Sequence, residues 1–196
     1  YPKKSYTYNP LGFGGYNEIK DRLIGSSIWT EEYYKKRTSS ILLFILKAMR
    51  EANMTPTFLL LQRLLQKEEG IKFLMLKTSG ETKEDLALMV KEYSEIRRDL
   101  SGFLSDLGEI ANSEFGYLFS SPQGEIDFLD AYKTGKIIYF QLNTQGFHET
   151  AKRFGRIMLQ DLKALSNHVQ AYMNPNERKF FPVFIDEFAN FAYPDF

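Results

Sequence analysis

The sequence predicts an α/β fold interrupted by a separate all-helical body. Three observations carry that expectation. Apolar residues follow a helical period from about residue 30 to 113. They then condense into short continuous runs near 136–142 and 180–186, each bounded by turn residues, as in strands covered on both faces. An amphipathic stretch lies between those runs. Strand, crossover helix and strand make a βαβ unit, with parallel strands and a right-handed crossover.

Element by element, "SYTY" (5–8) is a short strand candidate, closed by Asn9-Pro10 and the glycines Gly12, Gly14 and Gly15. A helix starts near Thr30, which resembles a cap and precedes two acids, and it is apolar nearly all round. The next begins with Thr55 as cap and Pro56 at the first helical position, and Gly70 is its expected stop. A shorter helix follows, ending at Gly80. Leu86, Met89, Tyr93, Ile96, Leu100, Phe103, Leu107 and Ile110 then alternate steps of three and four, which predicts one long helix in an antiparallel bundle. Beyond it come a short helix, a turn at Thr134-Gly135 and a strand over 136–142. A helix from about His148 to Gln170 carries Ala151, Phe154, Met158, Leu162, Leu165 and Val169 on one stripe. The polar turn "NPNERK" leads to the last strand, 182–186. Strands at 5–8, 136–142 and 182–186 are expected in one sheet, with residues 30–113 as a helical body beside it.

Composition narrows the function classes. A hydrophobic fraction of 43% with 17 Phe and 12 Tyr describes a chain that folds. Lys+Arg and Asp+Glu are both 25, which argues against a strongly basic protein that coats DNA. The absence of cysteine excludes a disulfide framework and a thiolate metal site. His148 and His168 have no partner at ligand spacing, so zinc is not expected. The run Ile41–Leu46 is far short of the roughly 20 residues that span a membrane.

The chemistry-bearing motif is "KFFPVFIDEFANF", an apolar strand ending in Asp186 and Glu187. In an open parallel sheet, ligands sit beyond the carboxyl ends of strands. An Asp-Glu pair there has the Walker B arrangement: Asp186 would hold Mg²⁺ through its water shell, and Glu187 would polarise the attacking water as the catalytic base. The alternative is a polar strand end that meets solvent. No G-x-x-x-x-G-K-[ST] phosphate loop occurs in the sequence. Gly135-Lys136, its one Gly-Lys, precedes a strand and lacks the earlier glycine. Either the carboxylates are not catalytic, or the phosphate loop lies upstream of Tyr1.

"YNPL" (8–11), "TGKIIYFQLN" (134–143), "AKRFGRIMLQDLKAL" (151–165) and "FPVFIDEFANF" (181–191) together resemble the type IV coupling proteins, the TraG/TraD-like ATPases of conjugation and type IV secretion. The resemblance runs almost end to end and rests on motif order and spacing. It implies part of a RecA-like P-loop NTPase parallel sheet with an inserted all-α domain. On that reading 1–28 is a motor segment after Walker A, 29–122 the inserted domain, and 123–196 a motor segment ending at Walker B. It also implies ATP and Mg²⁺ as cofactors, and a homo-hexamer at the cytoplasmic face of the bacterial inner membrane. The partners would be relaxase and relaxosome accessory proteins, single-stranded DNA and the secretion channel's ATPases. The family's membrane anchor, Walker A loop, arginine finger and glutamine sensor have no counterpart here. The chain therefore reads as an internal fragment, monomeric and inactive by itself. Two alternatives stand beside it: a helical module that recognises protein or DNA without catalysis, and another P-loop DNA-pumping or secretion ATPase.

Other residues receive structural readings. Lys35, Lys36 and Arg37 form a cationic run on a helix, read as a solvated face rather than a phosphate contact. The Arg97 stem is expected to cover apolar surface. Gln141 and Asn143 read as turn caps. Trp29 is expected to be a packing anchor rather than a base-stacking platform.

Overall fold

Residues 16–26 form the first helix, α1 (Tyr16–Ser26), where the apolar period alone had given no helix. Its inward residues are Ile19, Leu23 and Ile24, spaced by four and one, with the buried Arg22 among them. The polar Arg22 interrupts the stripe, which hides this helix from an apolar count. The structure is a computed structural model and describes residues 5–143, 146 and 148–192.

Six helices follow: α2 (Glu32–Glu51), α3 (Phe58–Gln66), α4 (Glu68–Met75), α5 (Gly80–Lys91), α6 (Tyr93–Asp99) and α7 (Ser101–Ala111). They share one core with α1, built on Leu42, Ile45, Leu61, Leu65, Ile71, Leu74, Leu86 and Leu100, each 0% exposed. Full burial of such a side chain stabilises by roughly 1.5–3 kcal/mol, so this cluster dominates the stability of the molecule.

Two local expectations in this body are corrected. The α3 cap is Thr57, not Thr55: its hydroxyl accepts from the Leu60 N–H at 3.2 Å. Gly70 does not stop a helix but sits inside α4. A Cβ there would lie 2.2 Å from the Leu64 carbonyl oxygen, so the tight turn from α3 into α4 requires glycine. The heptad seam is not one long helix either. It breaks at Glu92 and Leu100, whose ψ values are near zero, into α5, α6 and α7. The seam itself survives the breaks, for Leu86, Met89, Ile96, Leu100, Phe103, Leu107 and Ile110 are all buried. Each short rod turns to keep its stripe on the common core.

Among the described residues the expected parallel sheet is absent. The molecule is 65% helical with 1% strand, an all-helical fold. Among the described residues the β contact is one isolated parallel bridge, Tyr8 with Ile126. Helices α8 (Phe128–Thr134) and α9 (His148–Tyr172) fall where the period places them, and Gly135 closes α8 in the left-handed region at φ 75°. The stretches 136–142 and 182–186, expected as strands, form no ladder. Their side chains explain why. Ile138 and Phe140 are half-buried in a second apolar cluster with Tyr8, Phe128, Tyr132, Phe154 and Leu165. Ile137 and Tyr139, between them, are 97% and 82% exposed. Phe180 and Phe184 are each 91% exposed. Only one face is covered and no neighbouring strand supplies backbone partners, whereas a buried parallel strand needs both. Pro182 further removes a donor from the last run.

Candidate functional site

Asp186 and Glu187 come together in one exposed turn after the last extended stretch. Glu187 is left-handed (φ 51°, ψ 39°), an uncommon conformation for a residue with a Cβ. Its N–H donates to Asp186 Oδ1 at 2.9 Å, and Asn190 Nδ2 donates to Glu187 Oε2 at 3.0 Å. The 3₁₀ turn Phe188–Asn190 follows, and then Phe191 seats on α9. A Cβ on Gly155 would lie 2.3 Å from that ring. Glycine at 155 thus lets the chain after the acidic turn close onto the helix.

Of the groups that Mg²⁺–ATP chemistry needs, this turn supplies the two carboxylates. Among the described residues, no group of three or more His, Asp or Glu could hold a metal ion. Glu187 spends one carboxylate oxygen on Asn190. Gly135, the glycine of the Gly-Lys pair, is a helix cap rather than part of a phosphate cradle. With no sheet among the described residues, the pair also crowns no strand edge.

The remaining candidates resolve into structural roles. Arg37 donates from Nε to Asp99 Oδ2 at 3.2 Å and lies 3.6 Å from Glu92, bracing α2 against α6. Lys36 is 4.0 Å from Glu32 on an exposed face. Trp29 stacks on Phe103 with centroids 6.5 Å apart, while its Nε1 donates to the Ile24 carbonyl at 2.8 Å. Asn143 Oδ1 accepts from the Gly146 N–H at 2.9 Å, a turn cap, and Gln141 is exposed.

The strongest polar constellation is one that sequence reasoning missed. Tyr8, Arg22 on α1 and Asp161 on α9 meet in the interior, 2%, 2% and 5% exposed. Tyr8 Oη donates to Asp161 Oδ2 at 2.5 Å, and Arg22 Nη1 lies 3.0 Å from Asp161 Oδ1. The guanidinium also donates to the carbonyls of Pro10 and Phe13, while its Nε is buried without a partner. Asn9 secures the same segment: Nδ2 donates to the carbonyls of Pro56 (3.0 Å) and Pro122 (3.1 Å), and Oδ1 accepts from the Leu11 N–H. The Asn-Pro-Leu stretch is therefore a clip that wraps Arg22. Burial pushes the Asp161 carboxyl up to about 6, although Arg22 and the Tyr8 hydroxyl pull it down and Asp127 adds to the rise. Burial, with the Asp161 charge beside it, raises the Tyr8 phenol well above its ordinary value. One signal was available: position 161 follows Phe154 by seven and Met158 by three, so an acid occupies the apolar stripe. A cleft of about 200 Å³ opens against Asp161, Asn9 and Asp127.

No family model, curated protein or solved structure matches this chain.

Proposed function

We propose that the chain is part of an ATP-driven DNA translocase of the coupling-protein kind, linking relaxase–DNA substrate to a type IV secretion channel. The observation that carries this reading is the Asp186–Glu187 turn. It is an exposed acid pair at the end of an apolar stretch, following α9, with both motifs in the order that the resemblance requires. In an assembled hexameric motor Asp186 would hold Mg²⁺ through its water shell and Glu187 would act as general base. Residues that cradle the phosphates come from elsewhere, for the 196 residues contain no phosphate loop. ATP, Mg²⁺, single-stranded DNA and a place at the cytoplasmic face of the inner membrane belong to this proposal. Among the described residues no helix is long and apolar enough to cross a membrane.

The test uses the longer protein that joins this segment to a phosphate loop. Glu187→Gln should leave ATP binding intact and lower hydrolysis on the order of 10²–10⁴-fold. Asp186→Ala should weaken the Mg²⁺-dependent part of binding instead. The isolated 196-residue chain should release no phosphate from ATP above background. Turnover by that chain, abolished in Glu187→Gln, would sink the proposal in its present form.

A second reading, a recognition module without catalysis, is favoured by one observation: the larger buried core belongs to α1–α7, which contain neither acid of the pair. Retention of relaxase or accessory protein by the isolated chain, unchanged in Glu187→Gln, would support it.

A further inference from the structure

A groove of about 430 Å³ lies where the loop before α1, the end of α2 and the end of α9 converge. Its volume falls within the range of roughly 300–1,000 Å³ typical of small-ligand sites. One wall is aromatic. Phe13 meets His168 edge-on with centroids 5.2 Å apart, and His168 meets Tyr172 at 5.0 Å. Each ring braces the next, yet Tyr172 remains 78% exposed, so a flat surface is presented rather than buried. Arg50 lines the same groove, its guanidinium 5.9 Å from the Tyr16 ring centre. Among the described residues no carboxylate lies within ion-pair distance of Arg50. Four of the eight other arginines, Arg22, Arg37, Arg98 and Arg153, each lie within ion-pair distance of an acid.

We propose that this groove binds one nucleotide unit, its base stacked on Tyr172 and His168 and its phosphate on Arg50. The chemistry selects that class. A braced ring with an open face attracts a planar π system, and a guanidinium without an acid partner attracts an anion. A ligand that joins both within one groove is an aromatic base carrying a phosphate. The same unit occurs in a free nucleotide and in single-stranded nucleic acid. In a duplex the base faces are already stacked, so a duplex does not offer it. Glu18 works against the phosphate: its Oε2 accepts from the Gly15 N–H at 2.7 Å at the groove edge. That opposition gives the site a distinctive response, because neutralising Glu18 should tighten binding. The proposal does not use Asp186 or Glu187 and stands apart from the reading of those residues.

The experiment titrates the 196-residue chain into a short labelled oligo(dT), followed by fluorescence anisotropy, with unlabelled AMP, inorganic phosphate and duplex as competitors. Tyr172→Ala should weaken binding about 10-fold, within the range for loss of one base stack, and Tyr172→Phe should restore it. Arg50→Gln should weaken binding and lower the slope of log affinity against log salt by about one. Glu18→Gln should bind more tightly than the native chain. Lys36→Ala is the control, about 21 Å from Arg50 along α2 at 1.5 Å per residue, and should bind normally. Displacement by AMP assigns the site to free nucleotides; displacement by oligonucleotide alone assigns it to a strand. Either supports the proposal. It is overturned if no probe binds, if phosphate competes as well as AMP, if duplex binds as tightly as oligo(dT), or if Tyr172→Ala is neutral. Equal weakening by Lys36→Ala would also overturn it. Tyr172 is largely exposed, so an unchanged melting curve shows that its variants still fold.

Discussion

Arg22 and Asp161 illustrate why a buried ion pair is held by geometry rather than by charge alone. Each ion loses several kcal/mol of hydration, and their attraction offsets this only with further hydrogen bonds, here from Tyr8 and to the Pro10 and Phe13 carbonyls. Removing one partner should therefore be worse than removing both. Arg22→Met is expected to destabilise the chain by about 3–5 kcal/mol at neutral pH, because Asp161 loses the guanidinium that offsets its burial and keeps only the Tyr8 hydroxyl. The double variant Arg22→Met, Asp161→Leu should recover much of that loss, as read by urea unfolding. If the double variant were as unstable as the single one, packing rather than charge would govern the cluster. The sign of the pH response follows from the carboxyl at about 6, above an unfolded value near 3.9. The folded state holds this proton more tightly, so the contribution is fully present below about 4 and is lost as pH rises through 6. It amounts to roughly 3 kcal/mol at most. Native stability should fall over that window relative to a Tyr8→Phe, Arg22→Met, Asp161→Leu variant, and a flat difference curve would refute the assignment.

At the scale of elements, the sequence revealed period well and partnership poorly. The α9 stripe, the α8 stop at Gly135 and the buried heptad seam all follow from local spacing, because each needs only one face turned inward. The breaks at Glu92 and Leu100 have no signature in the apolar spacing, which continues through both. The strands failed for a related reason. "KIIYFQL" and "FFPVFI" show what each run could bury, but not whether a neighbouring strand is present to bury it. The acid pair was legible as a motif, while the Tyr8–Arg22–Asp161 cluster was not, since its members lie up to 153 residues apart. Gly70 offers an element-level test. Gly70→Ala should destabilise by more than the helix-propensity gain of up to about 1 kcal/mol, because the new methyl would meet backbone at Leu64. A variant more stable than the native chain in thermal melts would show that the α3–α4 turn can relax.

On the scale of the whole molecule, two apolar clusters differ in how completely they are enclosed. The α1–α7 core is sealed, whereas the second cluster is covered by stretches whose outer side chains face solvent. Ile137, Tyr139, Phe180 and Phe184 make those outer faces strongly apolar, and their backbones lack ladder partners. Unpaired extended backbone with apolar side chains is the surface on which chains associate non-specifically. The solubility of the chain should therefore be limited by these four side chains and not by its balanced charge. Ile137→Lys with Phe184→Lys adds two charges to the exposed faces and removes no buried contact. The pair should raise the concentration at which light scattering appears by several-fold. Its unfolding free energy should stay within about 0.5 kcal/mol of the native chain's, as for ordinary surface substitutions. Should the double variant instead unfold markedly earlier, these side chains would be buried in solution, and the enclosure of the second cluster would have to be redrawn.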